Sequence, residues 1–288
     1  MEWLFLSLSA AFFSATADAV TKKSFSNLSA YGMGAVRYVY TLPWLAVSFL
    51  FIPVPSPDRQ YFLSLACGLP LELLAVLCYM QAIKRSPLSL TLPFLAFTPL
   101  FLILTGRILL GEIITWSGGL GIFLIALGSY CLNLSKTKDS LLGPIKAIVK
   151  EPGSLLMLLV AFLYSLTSAI GKVGVLHSNP WFFGITYNAG LSLLMLFTFR
   201  FSPGARVGHL VSKPLAGLML GGIYAAMIFC HFLAISLVQA AYMISIKRMS
   251  LLFGVLYGAF LFREQKITER FTGAVIMAVG VLIIGFFG

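Results

Sequence analysis

The sequence predicts an all-α polytopic membrane protein: ten transmembrane helices arranged as two inverted five-helix repeats. Three observations predict it. Of 288 residues, 59% are apolar and only 10% charged, and apolar runs of about twenty residues, long enough to span a bilayer, recur along the chain. The short alternating segments of a membrane β-barrel are not seen. The chain also repeats itself. Displaced by 152 residues, 78–132 aligns with 230–284 without a gap, and the identities include Cys78/Cys230, Ala82/Ala234, Gly106/Gly258, Glu112/Glu264, Gly121/Gly273 and Gly128/Gly280.

In order, the spans read 2–20, 31–52, 60–83, 88–109, 114–134, 154–175, 181–201, 214–236, 238–262 and 267–287. The first starts at Trp3 with no basic segment before it and is read as a retained helix, although Ala15-Thr16-Ala17 resembles a cleavage site. The halves are 1–135 and 154–288. The basic connection 136–153 contains Pro144 and Pro152 and is expected to hold a short interfacial helix around Ile145–Val149. Five is odd, so the second copy enters the membrane from the opposite side, the arrangement that serves alternating access around a midplane site.

The net charge of +11 does not point to nucleic acid, because Lys and Arg lie mostly between the apolar runs. They concentrate in the loops after spans 1, 3, 5, 7 and 9, a bias that puts both termini outside. The four cysteines lie inside apolar runs without CxxC spacing, and the three histidines have no metal-ligand spacing. No metal and no cofactor is expected. No nucleophile or metal motif of an intramembrane enzyme is present in the sequence.

Charges inside the spans are the candidate site. Lys247 and Arg248 fall near the middle of span 9. Each buried charge costs roughly 2.5–3.5 kcal/mol on insertion scales, while each Leu, Ile, Val or Phe returns only about 0.3–0.6. The pair is therefore read as an anion site, Arg as a bidentate donor and Lys as a point charge, with an ion pair to Glu72 as the structural alternative. Glu72 sits at the centre of span 3, two residues after Pro70, and is read as a proton-coupling group, a substrate-amine ligand or a counter-ion. His231 corresponds to Tyr79 under the repeat, and both are candidate ligand donors. Arg37 and Lys172 are placed at cavity mouths. Tyr242, Gln239, Ser245, Thr91 and Thr98 are further cavity polars. Asp18 and Lys22 are spaced for an i,i+4 pair. Glu112 and Glu264 are expected to meet the N-termini of the helices that follow them. Gly217/Gly221 and Gly254/Gly258, and the seven-residue pairs Gly121/Gly128 and Gly273/Gly280, are read as packing seams.

The two matched segments, GRILLGE…GGLGIFLIALG and GAFLFREQ…TGAVIMAVG, together with AVRYVY and AIGKVGV, resemble the drug/metabolite transporter superfamily, and its EamA-type ten-helix transporters most closely. HFLAISLVQAAYMISIKRMS is similar to the ninth-helix region of sugar-phosphate translocators, although span 4 lacks the additional lysine of those carriers. The resemblance implies helices around a central cavity, spans 5 and 10 as supporting or dimer-facing elements, cytoplasmic termini and a bacterial or archaeal inner membrane. It implies a secondary transporter, an exporter or exchanger, of a small anionic or zwitterionic metabolite, phosphorylated or amino-acid-like. The expected partners are that substrate, the lipid bilayer and a second copy of the chain in a homodimer. A flippase for a lipid-linked anion and a non-transporting scaffold or sensor are the alternatives.

Overall fold

The structure is a computed structural model that describes residues 1–85, 92–134, 152–199, 201, 208, 212–262 and 268–288. All regular structure among the described residues is helical. Helices α1 (Glu2–Phe25), α2 (Ala30–Phe49) and α3 (Arg59–Arg85) are followed by a 3-10 segment, Leu92–Phe97, that runs into α4 (Thr98–Leu110). Then come α5 (Trp116–Leu134), α6 (Pro152–Leu176), α7 (Pro180–Phe199), α8 (Pro214–Leu237), α9 (Ala240–Lys247), α10 (Ser250–Phe262) and α11 (Thr268–Phe287). Residues 136–151, with the expected interfacial helix, and Thr91 and Glu264 lie outside the described residues.

Local sequence explains the helix starts. Pro152, Pro180 and Pro214 each open a helix, where a missing N–H removes no bond and the fixed φ suits the first turn. Ser29 caps α2 by accepting from the Gly32 N–H, and Asn179 caps α7 by accepting from the Phe182 N–H. Asp58 accepts from the N–H groups of Gln60 and Tyr61 at the start of α3 and meets His177 at 2.7 Å. The Tyr61 N–H first, then the imidazole, hold the Asp58 carboxyl below its usual value. This link is present at neutral pH and is lost as pH falls through that lowered value.

Six helical stretches are long and apolar enough to cross a membrane: Glu2–Phe25, Arg59–Ala82, Pro152–Leu176, Pro180–Phe199, Pro214–Leu237 and Ala240–Gly258. Phe94–Leu110, Trp116–Cys131 and Thr272–Phe287 are shorter apolar helices. Large apolar side chains such as Phe5, Leu104, Ile108, Phe197 and Phe260 are exposed on the outside, where lipid replaces water. The protein is an integral, multi-pass membrane protein.

Span 9 is not one helix. A 3-10 turn divides it into α9 and α10: the Arg248 N–H bonds to the Ser245 carbonyl, Met249 to Ile246, and Leu251 to Arg248. Lys247 therefore ends α9 and Arg248 caps it. Neither sits in the middle of a continuous helix, as the apolar run suggested.

The packing is reciprocal. Helix α1 lies on α8 and α3 on α6; α4 lies on α6, while α9 and α10 lie on α1; α2 faces α7 and α5 faces α11. Each pair maps onto another pair, or onto itself, when the halves are exchanged. The α5–α11 seam is built from the matched glycines. A Cβ on Gly128 would stand 2.6 Å from the Gly273 carbonyl oxygen, and one on Gly280 would stand 2.7 Å from that of Gly121. Gly217 and Gly221 let α8 close on Tyr40 of α2. Gly254 faces open space, so the Gly254/Gly258 spacing is not a tight seam at that end.

Gly128→Ala is expected to lower the melting temperature of the detergent-solubilised protein, at a cost of about 1–3 kcal/mol for overpacking. Gly254→Ala is expected to be neutral or slightly stabilising, because helix propensity improves and no neighbour must move.

Candidate functional site

Two kinds of charge occupy the interior: those matched by a partner and those left unmatched. The tightest match is at the junction of α8 and α9. Only Val238 and Gln239 separate the two helices, so the carbonyl end of one and the N–H end of the other meet inside the protein. Gly111, at φ +68°, turns the chain after α4 through the left-handed conformation and is followed by Glu112. The Glu112 carboxylate accepts from the Ala240 N–H at 2.9 and 3.1 Å. Lys172 of α6 donates to Glu112 Oε1 at 2.5 Å and to the Val238 carbonyl at 2.6 Å.

This arrangement corrects two expectations. Glu112 does cap a helix N-terminus, but that of α9 in the other half of the chain, where the first N–H after the Val238–Gln239 connection is free. Lys172 is not at a cavity mouth. It is buried, and its ammonium is fully engaged by a carboxylate and a carbonyl. Tyr242 is also held in packing. It is 1% exposed, its hydroxyl accepts from the Thr115 N–H at 3.1 Å, and it fills the space above Gly118.

The second match is Arg37 with Asp18 at 2.5 Å. Arg37 also donates to Thr21 at 3.3 Å and lies 5.3 Å from the centroid of the Tyr224 ring. Asp18, spaced for an i,i+4 pair with Lys22, accepts from the Arg37 guanidinium, which reaches it from α2.

The unmatched charges are Glu72, Lys247 and Arg248. Among the described residues none of the three is in an ion pair within 4.0 Å; the pairs there are Arg37–Asp18, Lys172–Glu112 and His177–Asp58. The Lys247 ammonium instead donates to Nδ1 of His231 at 3.2 Å. A donating ammonium at that distance requires an unprotonated Nδ1 on His231. The Arg248 Nε is buried without a hydrogen-bond partner, as is that of Arg37. Glu72 lies within electrostatic reach of Lys247 and beside the hydroxyls of Thr167 and Tyr187. Asp18 also lies within electrostatic reach of Lys247, and Tyr164 within that of Arg248.

The structure thus brings Lys247, Arg248, Glu72 and His231 together, with Arg37 and Tyr79 joined to them through Asp18 and Tyr164. Each of these side chains is half-buried. Tyr38, Tyr164, Tyr187 and Tyr224 also lie within electrostatic reach of Glu72, and sequence reasoning singled out none of the four for the site. The available signal was a tyrosine in the middle of spans 6, 7 and 8, far from the interfacial belt where tyrosine usually lies. Among the described residues no group of three or more His, Cys, Asp or Glu side chains is placed to hold a metal ion, and Cys67, Cys78, Cys131 and Cys230 are free thiols.

Lys172→Met and Glu112→Gln are each expected to destabilise the protein strongly, by about 3–5 kcal/mol, because each leaves a buried charge unmatched. The double variant is expected to be less destabilised than the sum, read as melting temperatures in detergent.

No curated protein sequence matches the chain. A solved crystal structure of a protein superposes on it with a TM-score of 0.73 at 14% identity, covering 98% of this chain and 94% of that one. The likeness is one of fold. The model of the EamA-like transporter family matches residues 1–134.

Proposed function

We propose that the whole chain is an EamA-type secondary transporter, an exporter or exchanger of a small anionic or zwitterionic metabolite. It works by alternating access between two inverted five-helix halves, 1–135 and 154–288. The family match over residues 1–134, the internal sequence repeat and the reciprocal helix contacts support this reading. One observation carries the site. Arg248 has a buried Nε without a partner, and the neighbouring Lys247 ammonium rests on a neutral imidazole although two carboxylates are within electrostatic reach. Cations held inside a membrane protein without a counter-ion mark a ligand pathway. An anion entering this space would meet two positive charges already oriented, which lowers the cost of ordering them on binding.

Glu72 is the proton-exchanging or amine-binding group of this reading, and His231 keeps the Lys247 ammonium directed into the site. The Arg37–Asp18 pair and Tyr79 line the approach. Lys172 and Tyr242 support the junction and do not touch substrate.

The test is the melting temperature of the purified protein against inorganic phosphate, sugar phosphates, nucleotide sugars and amino acids, with counterflow in proteoliposomes for any ligand found. A ligand at 100 times its dissociation constant stabilises by about 2.7 kcal/mol. The stabilisation and the counterflow are expected to disappear in Lys247→Ala and in Arg248→Ala. Full activity in both variants would remove the pair from the site.

A further inference from the structure

Two sets of contacts tie helices 1–3 to helices 6–8 at their ends, and exchanging the halves of the chain turns one set into the other. In the first, Asp58, just before α3, meets Nδ1 of His177, just after α6, at 2.7 Å. Beside it the ring of Phe49, the last residue of α2, lies 6.1 Å from that of Phe182 in the first turn of α7. In the second, Lys213, just before α8, donates to the Ser24 carbonyl in the last turn of α1 at 2.7 Å. Beside it the ring of Tyr31, in the first turn of α2, stacks at 6.0 Å on that of Phe199, the last residue of α7.

The two sets correspond element by element. The start of α3 on the end of α6 becomes the start of α8 on the end of α1. The end of α2 on the start of α7 becomes the start of α2 on the end of α7. Helices α2 and α7 have 20 residues each, about 30 Å at the rise of an α-helix, so the two sets lie at opposite ends of the helices they join. Both polar ties are weak enough to break and remake. The Asp58 and His177 side chains are 52% and 40% exposed, and exposed pairs hold loosely. The Lys213 tie, likewise exposed, is one hydrogen bond that water can replace.

Resting on the reading of the chain as an alternating-access transporter, we propose that these two clasps are its gates. The Asp58–His177 clasp with Phe49 and Phe182 closes one face, and the Lys213–Ser24 clasp with Tyr31 and Phe199 closes the other. Inverted repeats supply such a matched pair of closures, one for each face, and each opens while the other holds. Both are made in this structure.

The test is hydrogen exchange of backbone N–H groups in the purified full chain in detergent, which needs no ligand. In His177→Ala, exchange is expected to quicken by up to about fivefold over 49–62 and 176–184 together, because a gate parts the helix ends of both halves as one unit. Over 24–33, 195–199 and 213–218 it is expected to keep the wild-type rate or fall. Lys213→Met is expected to reverse the pattern. His177→Asn, whose amide nitrogen can stand where Nδ1 stood, is expected to exchange as wild type does. Faster exchange confined to 176–180 in His177→Ala would reduce that clasp to a local surface contact and overturn the proposal. Faster exchange at both ends in either variant would overturn it too, because the clasps would then only support the whole fold. If the expected pattern is absent while counterflow of a panel ligand depends on Lys247 and Arg248, the transporter reading stands and the gates are rejected. If the pattern is found but inorganic phosphate, sugar phosphates, nucleotide sugars and amino acids all fail to show counterflow in wild type, the transporter reading fails and the gate assignment falls with it.

Discussion

The Glu112 carboxylate is the interaction on which the rest of the structure depends. Only Val238 and Gln239 separate the end of α8 from the start of α9. A helix end buried in a membrane leaves N–H and C=O groups that cost several kcal/mol each if unpaired. Glu112 takes the first N–H of α9, and Lys172 takes the last carbonyl before it while neutralising Glu112. With both groups satisfied, α9 can start two residues after α8 ends; it runs eight residues to Lys247. Its last turn then carries Lys247, at the helix end where the macrodipole favours a cation.

The interior is polar in a graded way. Some charges are paired: Arg37 with Asp18, Lys172 with Glu112 and His177 with Asp58. At the end of α9, Lys247 meets His231, and the Arg248 Nε has no hydrogen-bond partner. Complete pairing stabilises the fold, whereas incomplete pairing leaves a charge able to answer a new partner. Tyrosine hydroxyls around Glu72 moderate the difference, because each can donate or accept without adding charge.

Around this interior, glycine sets how closely the halves approach. The carbonyl of Gly273 comes so near Gly128 that no side chain fits, and Gly121 and Gly280 repeat the arrangement. Helix length, the position of small residues and the sites of helix breaks define the architecture, and most apolar identities can be exchanged when volume and pattern are kept.

The sequence by itself determined the all-helical membrane class, because twenty-residue apolar runs have no other stable form in this pattern. It also pointed to the seam glycines and to Lys247, Arg248 and Glu72, since a charge in an apolar run is costly wherever the chain folds. It could not say which charges would find partners. Lys172 and Lys247 look alike in sequence, each a lysine within an apolar span. Only the tertiary structure gives Lys172 a carboxylate and a carbonyl and gives Lys247 an imidazole. The break within span 9 was hidden as well, because the hydropathy of 238–262 is continuous, and so was the cap on Ala240, supplied by Glu112 from 128 residues earlier in the chain. Burial cost is a property of a residue and its neighbours in sequence. Compensation belongs to groups brought together from distant segments, and only packing decides it.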